Sequence, residues 1–136
     1  MKTKKYFYSV IALTLMLIMS CEPKETRTID GNWEVISLKG QSDLNINPTF
    51  VIVLRNLKIS GFSGCNYFLG SFTMDNNEIS FGNTTGTKSL CPEMEIENLF
   101  VETLSKVNSY RFTEHYLEFL SESDDIIMRM KSIEAE

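Results

Sequence analysis

The side chains of this chain with chemistry to offer are three cysteines, one histidine and a few short runs of oxygen-bearing residues. Cys65 and Cys91 are separate from any Cys-x-x-Cys pair, so a thioredoxin-type redox pair is not indicated. A thiol or hydroxyl nucleophile needs a neighbouring base, and the sole candidate is His115, between Glu114 and Tyr116. Ser60, Ser63 or Cys65 would have to meet it with an orienting carboxylate, and a zinc site would need more imidazole or thiolate ligands than this chain has to spare. His115 therefore reads as an exposed turn histidine. Asp75-Asn76-Asn77-Glu78 lacks the length and glycine of a calcium loop and reads as a β-turn. Gly61 to Gly64 is too short for a phosphate cradle and no Lys-Ser/Thr follows it. Glu122, Asp124 and Asp125 form a solvated hairpin tip, with weak calcium binding as a poor second. No catalytic residue, metal or cofactor is expected, and an enzyme is the least favoured class.

Cys21 has a different context. Lys2, Lys4 and Lys5 precede an apolar run from Tyr6 to Met19, too short to span a bilayer comfortably but the right length for an export signal. The run ends Ile18-Met19-Ser20-Cys21, with an aliphatic residue at −3, a small one at −1 and a thiol at +1. That order resembles a bacterial lipobox, in which the cysteine takes a thioether-linked diacylglycerol and two or more acyl chains give stable anchoring. The expected organisation is a signal over 1–20, a lipidated Cys21 with a flexible polar tether over 21–30, one domain over 31–131 and a short tail over 132–136. The expected location is the cell envelope, on the periplasmic or surface face of the outer membrane.

Removing the first 20 residues leaves 116, enough for one domain with a real core; of the chain's nine Phe, five Tyr and one Trp, eight Phe, three Tyr and the Trp remain to fill it. The formal charge of −5 includes the three signal lysines. Without them, 10 basic side chains face 18 acidic ones, a net −8 that repels nucleic acid and anionic lipid headgroups. The expected partners are the membrane, through the lipid on Cys21, and envelope proteins, with the domain itself a monomer.

The elements that must position these residues are mostly strands. Asn32 to Leu38 alternates, with Trp33, Val35 and Ser37 offered to one face. Lys39 to Pro48 is loop-like. Thr49 to Leu54 and Leu57 to Gly61 form a hairpin about Arg55-Asn56, and Tyr67 to Met74 pairs with Glu78 to Phe81 about Asp75-Asn76-Asn77. Tyr110 to Thr113, His115 to Leu120 and Ile126 to Met130 complete the set. Between Pro92 and Asn108, Ile96, Leu99, Phe100, Leu104 and Val107 recur at helical spacing, with Glu93, Glu95 and Glu97 in the dipole-favoured first turns. The fold class is α+β, mainly antiparallel β: a small curled sheet or partly open barrel with one covering helix.

Outside the cytoplasm a disulfide between Cys65 and Cys91 is favoured, two free buried thiols being the alternative. If unstrained, closing that loop stabilises the domain by roughly 3.5 kcal/mol in the chain-entropy picture. The surrounding residues resemble the META domain, also called the HslJ-like family. The carriers are Gly31-Asn-Trp33, then Gly61-Phe-Ser-Gly64-Cys65-Asn66 followed by Gly70, then Thr87-Lys-Ser-Leu-Cys91, and Glu97-x-x-Phe100-x-x-x-Leu104. The likeness covers about residues 28 to 131. It departs at Ser89-Leu90, where the family often has Met-Ala before the cysteine. The resemblance implies a mainly β fold with one helix on secreted or lipid-anchored bacterial proteins, with a heat-inducible stress protein as namesake and no agreed enzymatic activity.

Three functions follow as expectations. One is a non-enzymatic envelope protein for stress tolerance. Another is an inhibitor or adaptor for an envelope enzyme such as a cationic lysozyme, with Tyr67, Phe68 and the Ser121 to Asp125 turn as contacts. The last is carriage of a small apolar ligand inside the barrel.

Overall fold

The computed structural model describes residues 27–92 and 94–133. The export signal and the lipidation expected at Cys21 lie outside them.

Chain order is β1 (Gly31–Leu38), β2 (Thr49–Val53), a 3₁₀ turn (Leu54–Asn56), β3 (Lys58–Phe62), β4 (Tyr67–Asp75), β5 (Glu78–Phe81), β6 (Thr85–Gly86), α1 (Met94–Leu104), β7 (Ser109–Phe112), β8 (Leu117–Leu120) and β9 (Ile126–Ile133). Neighbours run β3-β2-β1-β9-β8-β7-β5-β4 and every pairing is antiparallel; β3 then pairs with β4, so the sheet closes into a barrel. This corrects the expectation of a partly open barrel. Closure is tight between β3 and β4, which match over Lys58↔Ser71 to Phe62↔Tyr67, and slight between β5 and β7, which match only at Glu78↔Ser109. β6 prolongs the β5 side of β4 through Phe68↔Gly86 and Leu69↔Thr85.

Both hairpins stand where the turn residues put them. Asn76 takes the left-handed conformation (φ 55°) that its short polar side chain tolerates. The alternation of β1 fails at one point. The β1 and β9 register shifts between Val35 and Ser37, a bulge that carries Leu38, not Ser37, to the inner face with Trp33 and Val35.

The interior is filled by side chains. The Phe50 ring lies 5.6 Å from those of Phe68 and Phe81, 6.0 Å from Phe100 and 6.1 Å from Phe119. These tilted and edge-on contacts add to the large area such rings remove from water. Ile52, Ile59, Leu117, Met128 and Met130 complete the core. A small apolar ligand would have to displace these rings to enter, which counts against carriage inside the barrel.

The two barrel ends are closed differently. At one end α1 lays Ile96, Phe100 and Leu104 over the opening, as its spacing requires. At the other, Ile29 is 1% exposed, and its carbonyl accepts a 2.8 Å hydrogen bond from Trp33 Nε1. The tether expected to run free to Asp30 therefore stops short of that residue: Asp30 Oδ1 accepts from Leu54 N at 2.7 Å, and Arg27 donates to the Thr113 carbonyl. Among the described residues no helix is long and apolar enough to cross a membrane.

Candidate functional site

The motif residues scattered over Ser63 to Glu97 meet at the helix end. Two glycines shape the approach. A Cβ on Gly61 would lie 2.0 Å from the Thr49 carbonyl oxygen, so only glycine fits where β3 passes this close to β2. Gly64 sits at φ +112° with Ile96 Cγ2 3.0 Å from where a Cβ would be, which lets the β3–β4 connection turn beneath the helix. Gly70 lies across from Ile59 on β3.

Asn66 is the hub of the polar cluster. It is buried, and its Oδ1 accepts from Ser89 N at 2.7 Å and from Thr87 Oγ1 at 2.8 Å. Its Nδ2 donates to Glu97 Oε2 at 2.9 Å, to Glu97 Oε1 at 3.1 Å and to the Ser89 carbonyl at 3.2 Å. The Ser63 hydroxyl reaches the Asn66 carbonyl at 2.8 Å and Glu97 Oε1 at 3.1 Å, with one proton to share between them. Thr87 Oγ1 in turn accepts from Tyr67 N at 3.1 Å. Beside this cluster Cys65 and Cys91 form a disulfide with Cα atoms 6.0 Å apart. One bond network and one covalent bond thus fasten the β3–β4 connection, the extended segment from Thr87 to Cys91 and the first turn of α1 to each other.

Asn66, Thr87 and Glu97 are all carriers of the family resemblance, and beyond that the sequence offers Glu97 only a helix-dipole role. Its carboxylate instead completes the Asn66 amide. The available signal was the spacing itself: Glu97 lies one turn into the helix, six residues after Cys91.

The other candidates do not join this cluster. His115 sits in the β7–β8 turn at the opposite barrel end, its Nε2 3.8 Å from Glu114 Oε2 and both side chains largely exposed. It borders a cleft of about 520 Å³ with Arg27, Trp33 and Tyr116, whereas Cys65 is bonded to Cys91 at the helix end. The Asp75–Glu78 and Ser121–Asp125 segments are exposed turns, the latter closed by Ser121 N donating to the Asp125 carbonyl at 2.9 Å. Of the two aromatics offered as contacts, Tyr67 is 68% exposed, but Phe68 is buried in the core. Among the described residues no three His, Cys, Asp or Glu side chains gather as a metal site would need.

Charge is paired along the barrel wall. Glu118, only 2% exposed, lies between Arg129 and Arg111, with Oε1 2.8 Å from Arg129 Nη2 and Oε2 2.8 Å from Arg111 Nε. Burial alone raises its pKa, but the two guanidiniums outweigh that and hold it below the usual carboxylate value. On the helix, hydrogen bonds from Lys106 and Lys39 bring Glu102 down to about 2.

A closed antiparallel barrel of eight strands, lidded by one helix that a disulfide and an Asn-centred cluster hold down, defines a small β-barrel domain class. The META domain model matches residues 26–134, and the chain belongs to that family. Solved structures share the fold. An NMR structure of a protein from Burkholderia xenovorans superposes with a TM-score of 0.59 at 17% identity, covering 86% of this chain and 100% of that one. A crystal structure of a DUF4847 family protein from Bacteroides vulgatus gives 0.55 at 13% identity, over 79% and 95%. No curated protein matches the chain.

Proposed function

We propose that this protein is a lipid-anchored envelope protein whose META domain works by binding rather than by chemistry, in support of envelope or heat-stress tolerance. The observation that carries the reading is the engagement of the motif side chains with one another. Asn66, Thr87, Ser63 and Glu97 direct their hydrogen bonds inward to hold the lid, which suits a display scaffold and leaves the one histidine at the other barrel end. Anchoring rests on the Ile18-Met19-Ser20-Cys21 order. The described chain starts at the plug end, so an anchor there turns the helix end outward from the membrane.

The test is fractionation and N-terminal mass measurement of the full chain and its Cys21→Ser variant, with growth of a deletion strain at raised temperature. A diacylglycerol mass on Cys21, its loss with release from membranes in the variant, and a heat defect are expected. An unmodified, membrane-free wild type would overturn the anchoring, and normal growth of the deletion strain would overturn the stress role.

The inhibitor or adaptor reading draws support from one observation. The loops and helix at the outward end carry Asp43, Glu95, Glu97, Glu102, Glu122, Asp124 and Asp125 against Lys39, Lys88 and Lys106, an asymmetry that suits a cationic partner.

A further inference from the structure

The β6 segment presents backbone that nothing among the described residues pairs. Thr87 N donates to the Tyr67 carbonyl at 3.1 Å, and the register is Phe68↔Gly86 and Leu69↔Thr85. In an antiparallel ladder residues alternate in the direction their N–H and C=O point, so Thr85 and Thr87 face β4 while the Gly86 N–H and C=O face away from it. Gly86 is exposed, and it must be glycine: a Cβ there would lie 1.9 Å from the Tyr67 carbonyl oxygen. The strand edge is consequently bare of side chain at the one residue whose polar groups point outward.

Recesses lie on both sides of this edge. Between β6 and α1 a cleft of about 450 Å³ is walled by Phe68, Phe100 and Val101, with Glu97 and Lys88 at its polar margin. On the outer face of the sheet an apolar groove of about 580 Å³ runs over Val51, Gly61, Tyr67 and Leu69. Tyr67 and Leu69 are 68% and 64% exposed, large apolar surface for adjacent positions of one strand face.

We propose that β6 is a docking edge for an extended, basic segment of a partner protein, which adds to the sheet as a further strand. Its backbone would pair with Gly86, and its side chains, pointing alternately to either face, would enter the helix-side cleft and the outer groove in turn. Charge selects the occupant: the edge lies at the barrel end whose loops and helix carry seven carboxylates against three lysines, a net −4 that already includes the pairing of Glu102 with Lys39 and Lys106. The proposal names the partner chemistry for the binding role put forward above and rests on that reading, but not on the anchor.

The experiment uses the full chain as the cell makes it, with a panel of synthetic peptides alternating apolar residues with Lys or Thr. Binding is followed by anisotropy and by amide chemical shifts. Expected are shifts at Gly86, Thr85 and Val101, and affinity about tenfold weaker when alternate peptide amides are N-methylated, because that removes the edge hydrogen bonds without altering charge. Replacing Lys by Glu in the peptide, or Val101→Lys on the exposed face of α1, is expected to weaken binding similarly. Equal binding of the N-methylated peptides, shifts confined to the Trp33 end, or no binding across the panel would each overturn the proposal. So would Gly86 shifts that track protein concentration without peptide, since they would seat a second copy at the edge. None of these outcomes depends on Cys21, so a failure of anchoring stays visible as a separate result.

Discussion

At the plug end of the barrel Ile29 and Trp33 close the opening with apolar bulk and one indole hydrogen bond; at the helix end a disulfide and the bonds around Asn66 hold down a lid whose underside is equally apolar. Both mouths are tied to distant stretches of chain by hydrogen bonds, at the plug through Asp30 to Leu54 and Arg27 to Thr113, but only the second adds a covalent bond and a side-chain amide engaged on both sides. Apolar filling tolerates many shapes of side chain, whereas an amide donating and accepting on both sides tolerates almost none. That difference fits the placement of most of the motif at the helix end, with Gly31-Asn-Trp33 its share of the plug.

The comparison can be pressed hardest at the plug. Trp33→Ala removes the largest buried group there and is expected to destabilise the domain by about 3–5 kcal/mol, read from urea unfolding. Changing Cys65 and Cys91 together to serine is expected to lose about 3.5 kcal/mol, with amide exchange accelerating first in α1 while β1 and β9 stay protected. Equal acceleration at both ends would show that the lid and the plug form one cooperative unit. Asn66→Ala leaves Ser89 N without its buried acceptor and Glu97 without its donor, for an expected loss of about 2 kcal/mol; a larger loss than Trp33→Ala would reverse the ranking of the two mouths.

Along the wall between them, Glu118→Gln is expected to lose about 1–2 kcal/mol, less than for a fully buried pair because Arg111 and Arg129 can turn to solvent. Since the folded-state pKa of Glu118 is depressed, its contribution is complete above the ordinary value near 4.5 and disappears as pH falls through the folded value. The thermal midpoint of the wild type should therefore drop below about pH 4.5, and the variant should show a smaller drop. The smallest effect belongs to Glu102, which is exposed on the helix. Glu102→Gln should leave the midpoint unchanged at moderate salt, even though hydrogen bonds from Lys106 and Lys39 bring this carboxyl down to about 2, a depression that carbon-detected titration of the wild type is expected to read.

Much of this architecture was legible because it rests on local pattern. The hairpins about Arg55-Asn56 and Asp75-Asn76-Asn77, the helical stripe from Ile96 to Leu104, and the two spare cysteines each carry their own signal. The parts that were not legible are set by distant partners. The bulge after Val35 depends on β9, and β6 is a Thr-Gly pair that becomes a strand only because β4 lies alongside. Barrel closure at Glu78↔Ser109 joins residues with a helix between them. Glu97 stood in the motif but otherwise read as a first-turn acid because its amide partner lies in another loop, and Phe68 was offered as a contact with Tyr67 although strand alternation puts the two on opposite faces of β4. The burial of Ile29 likewise follows from Trp33 reaching back to it, which the charged residues around it concealed.

The pairing of Asn32 with Ile133 has a consequence for how the chain may be cut and rejoined. The first and last strands are neighbours, so the two ends of the described chain meet at the same mouth. A circular permutant that links them with a few glycines and reopens the exposed Ser121–Asp125 turn would keep every strand neighbour and start instead at the mouth beneath the helix. Topology thus leaves the polarity of the domain adjustable: the same barrel could be hung from either end.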